Sequence, residues 1–363
     1  MLPFEIQVGI MKRVPVKSLI QFRPVCKAWN SLIDSSDFIA GYSGQVQHLL
    51  LSYENADKFQ NKYFSVVDDD TFPQQRDPLT LPILVKMLKS FSIIGSSHGL
   101  LCLYGWFFSR TDMFVLWNIS TRKAVVVDHY EPDVGAGTYV SVMGFGVCRE
   151  TSCRFYVKHG GLENNPSRKS IRLSGLGSQV VVNGFLNWLA TDTVVTIDGG
   201  FGSYNLIVSF DMTSEEFREV NLPQSLAHQP RYKLSIYKLM ESLVVLEHGV
   251  EANNSIFGVW MMEDGVPNSF SKLFTFNVIT PHATVRGFKK TSEPIIKIID
   301  NDHRRQLVVY EPCSKRINND NLGFDAVNFS FFVYPYVDTL LLLDQRDLLI
   351  YNQVKRCVLQ QRK

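Results

Sequence analysis

The 363-residue chain is poor in several features that would assign it to a class at once. Its longest leucine run is Leu340–Leu343, far below the 18 or more apolar residues of a membrane-spanning helix, so no span is predicted. The first residues lack the apolar core and cleavage pattern of a secretory signal, which points to a cytoplasmic or nuclear setting. Neither sign of charge dominates: 37 Lys and Arg stand against 35 Asp and Glu, a net +2 without the basic stripe of a nucleic-acid binder. The six cysteines, Cys26, Cys102, Cys148, Cys153, Cys313 and Cys357, make no C-x-x-C pair, and the eight histidines show no ligand spacing, so no metal site is expected. In an intracellular protein these thiols stay reduced, although Cys148 and Cys153 are close enough to flank one hairpin.

Catalytic signatures are also missing. No nucleophile elbow, P-loop or zinc-protease helix is read. Gly144-Phe145-Gly146 and Gly199-Gly200-Phe201-Gly202 lack the full dinucleotide fingerprint and read as loop glycines at hairpin ends. The acidic triplet Asp68-Asp69-Asp70 lacks the spaced ligands of a calcium loop and reads as a solvated turn. Asp300, Asp302, His303 and Arg304 fall where a turn should join two strands. The chain is therefore expected to be non-catalytic and free of cofactors.

What is present divides unequally. The segment Leu2–Ile33 has helical periodicity broken at Pro15 and Pro24. Phe4, Ile6, Val8, Ile10, Met11 and Val14 predict a helix that is apolar on more than one side. Leu19, Ile20 and Phe22 predict a second. Val25, Ala28, Trp29, Leu32 and Ile33 fall on one face of a third, with Pro24 in its first turn. Three such helices make too small a unit to fold alone, and an apolar excess on a small unit implies a partner surface. Lys12, Arg13, Lys17, Arg23 and Lys27 face the single acid Glu5, so the partner should be acidic as well as apolar.

From His48 onward the pattern changes to short strands and turns, with 25 Phe in the chain. Expected strands include His48–Tyr53 and Tyr63–Val67. Expected hairpins are Phe91–Ile94 with Leu100–Tyr104 around Gly95–Gly99, and Val180–Val182 with Phe185–Ala190 around Asn183-Gly184, a type I′ signal. Two more are Ser235–Leu239 with Leu243–Glu247, and Phe331–Tyr334 with Leu340–Leu343. A second element recurs at Trp117-Asn118-Ile119-Ser120-Thr121, Phe210-Asp211-Met212-Thr213-Ser214 and Tyr310-Glu311-Pro312-Cys313-Ser314. In each an aromatic ends a strand and a hydrogen-bond acceptor opens a turn. With Trp260 and Tyr351, the aromatics stand at 117, 210, 260, 310 and 351. A degenerate repeat of 40–50 residues predicts a propeller-like all-β domain of about six irregular blades, with a β-sandwich carrying extra hairpins as the alternative.

The N-terminal segment resembles the F-box of plant F-box proteins. The likeness rests on Leu2-Pro3, Arg13-Val14-Pro15-Val16-Lys17-Ser18-Leu19, Phe22-Arg23 and Val25-Cys26-Lys27-Ala28-Trp29. Two departures are Gly9, where that family has an acidic helix former, and Pro24 in place of a small residue; a helical glycine costs about 1 kcal/mol relative to alanine. The later chain resembles the F-box-associated, kelch-like interaction domain of type 1. That likeness rests on Gly95–Leu103, Leu116-Trp117-Asn118 with Ser120–Lys123, Gly144–Gly146, Val182-Asn183-Gly184, Ser209-Phe210-Asp211, Val259-Trp260-Met261 and Lys272-Leu273-Phe274. The resemblance implies an α+β multidomain chain: a three-helix F-box over residues 1–42 and a β domain over 43–363. It implies that Leu2, Pro3, Ile6, Ile10, Leu19, Val25, Cys26 and Trp29 meet a Skp-type adaptor and, through it, a cullin. The β domain would then recruit a protein target for ubiquitination. The alternative is a Skp-bound interaction or ligand-sensing protein acting outside ubiquitin ligation. For target contact the sequence offers Trp106, Phe107 and Phe108, aromatics after Gly105 between two strands, and the polar loop holding Gly160, Gly161, Asn164 and Asn165.

Overall fold

The structure is a computed structural model that describes residues 3–42, 44, 46–55, 60–74, 76–88, 91–106, 112–127, 144–147, 155–157, 172–173, 179–195, 201–263, 266, 268–280, 282–299, 305–318 and 331–341. Four short helices open the chain: α1 (Phe4–Met11), α2 (Val16–Phe22), α3 (Lys27–Ile33) and α4 (Ser36–Gly41). Pro3 and Pro15 stand at the N-caps of α1 and α2 in extended backbone, where a missing N–H costs nothing. Cys26 and Ser35 cap α3 and α4, each accepting a hydrogen bond from a backbone N–H, of Trp29 at 3.4 Å and of Phe38 at 3.3 Å. Pro24 lies in the turn between α2 and α3, not in the first turn of α3, and Val25 precedes that helix. Beyond the three helices the sequence predicted, the chain past Asp34 forms a fourth, α4.

The strands form five sheets of four or more strands among the described residues. The first orders Phe332–Val337, Gln47–Asn55, Gln60–Val67 and Arg76–Pro78. The second is a meander of Phe91–Ser97, Leu100–Trp106, Asp112–Asn118 and Lys123–Val127. The third orders Arg172–Leu173, Phe185–Val195, Phe201–Asp211 and Phe217–Asn221, with Val180–Val182 also paired to the second of these. The fourth runs Leu234–Leu239, Ser242–Glu251, Asn254–Met262 and Phe270–Val278. The fifth runs Thr284–Phe288, Pro294–Ile299, Arg305–Glu311 and Arg316–Asn318. A two-stranded ladder, Phe145–Val147 with Phe155–Val157, pairs with none of them among the described residues.

Helices followed by repeated four-stranded meanders are a propeller-like all-β arrangement behind a helical segment. Among the described residues five sheets of blade size stand where about six were expected. Between Lys123–Val127 of the second sheet and Arg172–Leu173 of the third, the described residues hold only the two-stranded ladder.

Local chemistry explains the regularity. The aromatics Trp117, Phe210 and Tyr310 are all buried near the ends of equivalent strands. After each, four residues turn the chain, and the residue that follows the turn, Arg122, Glu215 or Lys315, has a positive φ of 57°, 58° or 55°. The acceptor that opens the turn holds it: Asn118 Oδ1 accepts from Thr121 N at 3.1 Å, and Asp211 Oδ1 from Thr213 N at 2.8 Å. Hairpins Ser97–Leu100 and Val182–Phe185 close on two-residue turns, His98-Gly99 and Asn183-Gly184, with positive φ at both positions, the type I′ geometry that matches strand twist. The predicted turn over Gly95–Gly99 is thus shorter, and the hairpin expected from Ser235–Leu239 and Leu243–Glu247 closes at Met240-Glu241.

The chain packs as two compact units, Met1–Leu51, Tyr63–Tyr130 and Tyr334–Lys363 in one, and Ser52–Lys62 with Glu131–Val333 in the other. In the first, Leu101, Leu103, Val115 and Trp117 pack with Leu84, Val85 and Tyr336. In the second, one core joins Val244, Phe257 and Phe276 to Ile296, Val308 and Tyr310, and another joins Leu189 and Ile207 to Leu243 and Val245. Two further expectations fail. Asp68 is not a solvated turn residue: it is fully buried, and its Oδ2 accepts from Gln47 Nε2 at 2.8 Å. Leu340 and Leu341 do not pair as a strand; they turn into the helical core.

Candidate functional site

The helices present two kinds of apolar side chain. Met11, Val16, Leu19, Ile33, Phe38, Ile39, Tyr42 and Leu340 form a buried core, with Val8, Phe22, Trp29 and Leu32 packed partly against it. The other kind faces out. Phe4, Ile6, Ile10 and Val25 are 51%, 49%, 51% and 62% exposed. On α1 the division follows helical spacing: Val8 and Met11 point in, and Ile6 and Ile10, one turn apart, point out. Ile6 and Ile10 make an apolar face without an internal partner among the described residues, and Phe4 is exposed at the first turn of the same helix.

The sequence expected the helices to lack a complete core. The structure corrects this: α4 and Leu340 complete one side, and only the outer face of α1 with Val25 stays open among the described residues. Trp29 lies between the two regions. Its ring sits 5.7 Å from that of Phe22, and its indole N–H donates to Gln7 Oε1 at 3.2 Å. Tyr42 donates its hydroxyl to Val14 O at 2.8 Å, and burial, with Asp338 nearby, pushes its pKa up to about 12. Arg23 pairs with Asp34 at 2.7 Å, while Lys12, Arg13, Lys17 and Lys27 are exposed. The apolar face is therefore accompanied by exposed cationic side chains.

The residues singled out from the sequence divide accordingly. Pro3, Ile6, Ile10 and Val25 are exposed. Cys26 is an exposed free thiol whose sulfur caps α3. Trp29 is half-buried. Leu19 is fully buried and shapes the helical core without being presented. Leu2 lies outside the described residues. Phe4, which the sequence did not single out as a contact, is also exposed. Its helical spacing from Val8 and Met11 placed it on their side of α1, and only the end of the helix leaves it open.

Trp106 closes its strand in the second sheet and is 58% exposed. Phe107 and Phe108 lie outside the described residues, as do Gly160, Gly161, Asn164 and Asn165, the pair Cys148 and Cys153, and the polar cluster at Asp300–Arg304. Gly95-Ser96-Ser97-His98-Gly99 has the spelling of a nucleophile elbow, contrary to the expectation that the chain holds none. The structure puts it in a β-hairpin, where Ser97 is buried and pairs with Leu100, so no helix follows the serine. Among the described residues no group of three or more His, Cys, Asp or Glu is placed to hold a metal ion. No helix among them is long and apolar enough to cross a membrane.

Comparison with known proteins agrees with this layout. Residues 1–40 match the F-box domain, and residues 162–339 match the F-box associated beta propeller domain. Two similar curated proteins come from Arabidopsis thaliana. F-box protein At5g18160 is 23% identical over 362 residues, covering 92% of this chain and 89% of its own. F-box/kelch-repeat protein At3g23880 is 24% identical over 312 residues, covering 77% and 80%. The open apolar face lies on the helices of the first match, and most of the meanders lie within the second. The chain is thus an F-box protein of the plant type, an F-box domain joined to an F-box associated β-propeller domain.

Proposed function

We propose that this chain is a substrate-recognition subunit of an SCF-type cullin–RING ubiquitin ligase. Residues 1–42 dock on a Skp-type adaptor, and residues 43–363 carry a protein target. Proteins with this domain pair are generally non-catalytic adaptors. The chain then works by position: it raises the concentration of a target around a ubiquitin-charged partner held on the same assembly. Its place of action is the cytoplasm or the nucleus.

The observation that carries the reading is the outer face of α1. Ile6 and Ile10 stay about half exposed there, as does Phe4 at the helix's first turn, although the helix has a well-filled inner side. Such a face gains free energy only when another protein covers it, at about 25 cal/mol per Å2 of apolar surface removed from water. The exposed lysines and Arg13 suit an acidic rim on that partner. On the β domain, exposed Trp106 has the character of an interface anchor and is assigned to target contact.

Affinity capture tests the proposal. The full chain and an Ile6→Asp/Ile10→Asp variant are used as bait in extract. The reading expects adaptor and cullin with the first and neither with the second, while target proteins stay with both. Equal recovery of adaptor by the variant overturns it.

A further inference from the structure

Residues 338–341 follow the last described strand and belong to no sheet. They are nevertheless heavily anchored within the first compact unit. Asp338 O accepts from Gly44 N at 2.8 Å, just after α4. Asp338 Oδ1 accepts from Ser120 Oγ at 2.7 Å, and its Oδ2 lies 3.8 Å from His48 Nε2. The Asn118 side-chain amide donates to Thr339 O at 3.0 Å and to Leu341 O at 2.6 Å. Leu341 N donates back to Thr339 Oγ1 at 3.3 Å, which keeps the segment in a tight turn. Between these polar ties, Leu340 inserts into the helical core beside Met11, Leu19 and Ile33 and is fully buried.

The approach is close enough to need glycine on both flanks. A Cβ at Gly44 would meet the Asp338 backbone at 2.7 Å, and one at Gly99 would meet Val337 O and Thr339. Gly99 is in a hairpin of the second sheet and Asn118 ends the third strand of the same sheet. One four-residue segment thus grips the second sheet with its backbone carbonyls and the adaptor-facing helices with one leucine.

We propose that residues 338–341 form a strap that locks the four helices to the second sheet as one rigid body, with Asn118 as the positioning residue that holds the strap. The inference deepens the adaptor reading, because a docked adaptor would then carry this sheet at a fixed angle, but its physical content is independent of any adaptor. Asn118 is suited to the task by its amide. Its oxygen caps the turn at Thr121 while its nitrogen supplies the donors that two carbonyls need, so both ends of one side chain are used. A carboxylate in its place keeps the cap and turns the other end into an acceptor facing two acceptors.

The test is made on the free full-length chain. Spin labels are attached through azide-bearing residues introduced at Lys17 on α2 and Lys86 beside the second sheet, both exposed. Distances between them are measured by double electron–electron resonance, with far-UV circular dichroism on the same samples. The strap predicts one narrow distance in the parent and in Leu340→Met, which conserves volume. It predicts a distribution at least twice as broad in Asn118→Asp and Leu340→Ala at unchanged helix content. A folded Asn118→Asp chain with the parent's narrow distance overturns the proposal. If Leu340→Ala alone loses its helices, Asn118→Asp decides the question, since its side chain lies outside the helical core. No adaptor is present in the sample, so a failure of the ligase reading leaves this result unaffected.

Discussion

Ile6→Asp/Ile10→Asp offers the sharpest quantitative test of the α1 face. Full burial of an isoleucine side chain is worth about 1.5–3 kcal/mol, and each of these already buries about half its surface on folding. What remains for a partner to cover is therefore about 1 kcal/mol each, or about 2 kcal/mol for the pair. Two carboxylates brought into the same contact add a desolvation cost of at least about 1 kcal/mol each. The sum of about 4 kcal/mol corresponds to a Kd about 1,000-fold weaker. Folding should hardly notice, because neither side chain is in the helical core and substitutions at exposed helix positions usually stay within about 0.5 kcal/mol. Titration calorimetry of the full chain with a purified Skp-type adaptor reads the first number, and chemical denaturation reads the second. Leu19→Ala is the contrasting control: it empties a fully buried position and should cost about 2–5 kcal/mol of stability. If the double variant binds within about threefold of the parent, the outer face of α1 is not the docking surface and the reasoning fails.

Other consequences are open to simpler measurements. Gly9 sits in the middle of α1 with open space for 4 Å around the position a Cβ would take, so Gly9→Ala should raise stability by about 0.5–1 kcal/mol through helix propensity alone; a denaturation midpoint that falls would contradict this. Gly146 is the opposite case, because its Cβ would run into Met212 and Leu186, and Gly146→Ala should destabilise the chain by about 1–3 kcal/mol, read as a lowered Tm. Lys297 is buried, with Arg286 and Arg305 nearby, and desolvation first, then those two cations, lower its pKa from 10.5 to about 8. Between pH 8 and 10.5 the unfolded chain holds the proton that the folded chain has released, so stability should rise with pH across that window. Urea midpoints at about pH 7.5 and about pH 9.5 should show that rise in the parent and a smaller one in Lys297→Met; parallel changes in both would remove Lys297 as its cause.

How much of this could be read in the residue order depends on the range of the interaction concerned. Asn183-Gly184 between two apolar runs foretold its hairpin because a type I′ turn is decided by the two residues in it. The turns after Trp117, Phe210 and Tyr310 were legible for the same reason: Asn118 and Asp211 bond backbone groups two or three positions on. Long-range choices were not legible. Helix α1 is apolar on both sides, so periodicity could not say that Met11 goes in and Ile10 stays out; contacts with α4 and Leu340 decide it. Leu340–Leu343 has the composition of a strand, and what turns Leu340 into the helical core is Asn118, 221 positions before the carbonyl of Thr339 that it holds. Asp68 reads as solvent-exposed in an acidic triplet, yet the partner that lets it be buried, Gln47, stands 21 residues earlier. Trp106 followed the usual ambiguity of aromatics, and only the end of its strand leaves it open.

Carbene footprinting of the full chain with and without a Skp-type adaptor addresses the central claim most directly, because it reports which side chains a partner covers without changing any of them. The account predicts that labelling of Phe4, Ile6, Ile10 and Val25 falls severalfold on adaptor addition while that of Trp106 is unchanged. Undiminished labelling of those four, or protection confined to the sheets, would contradict it.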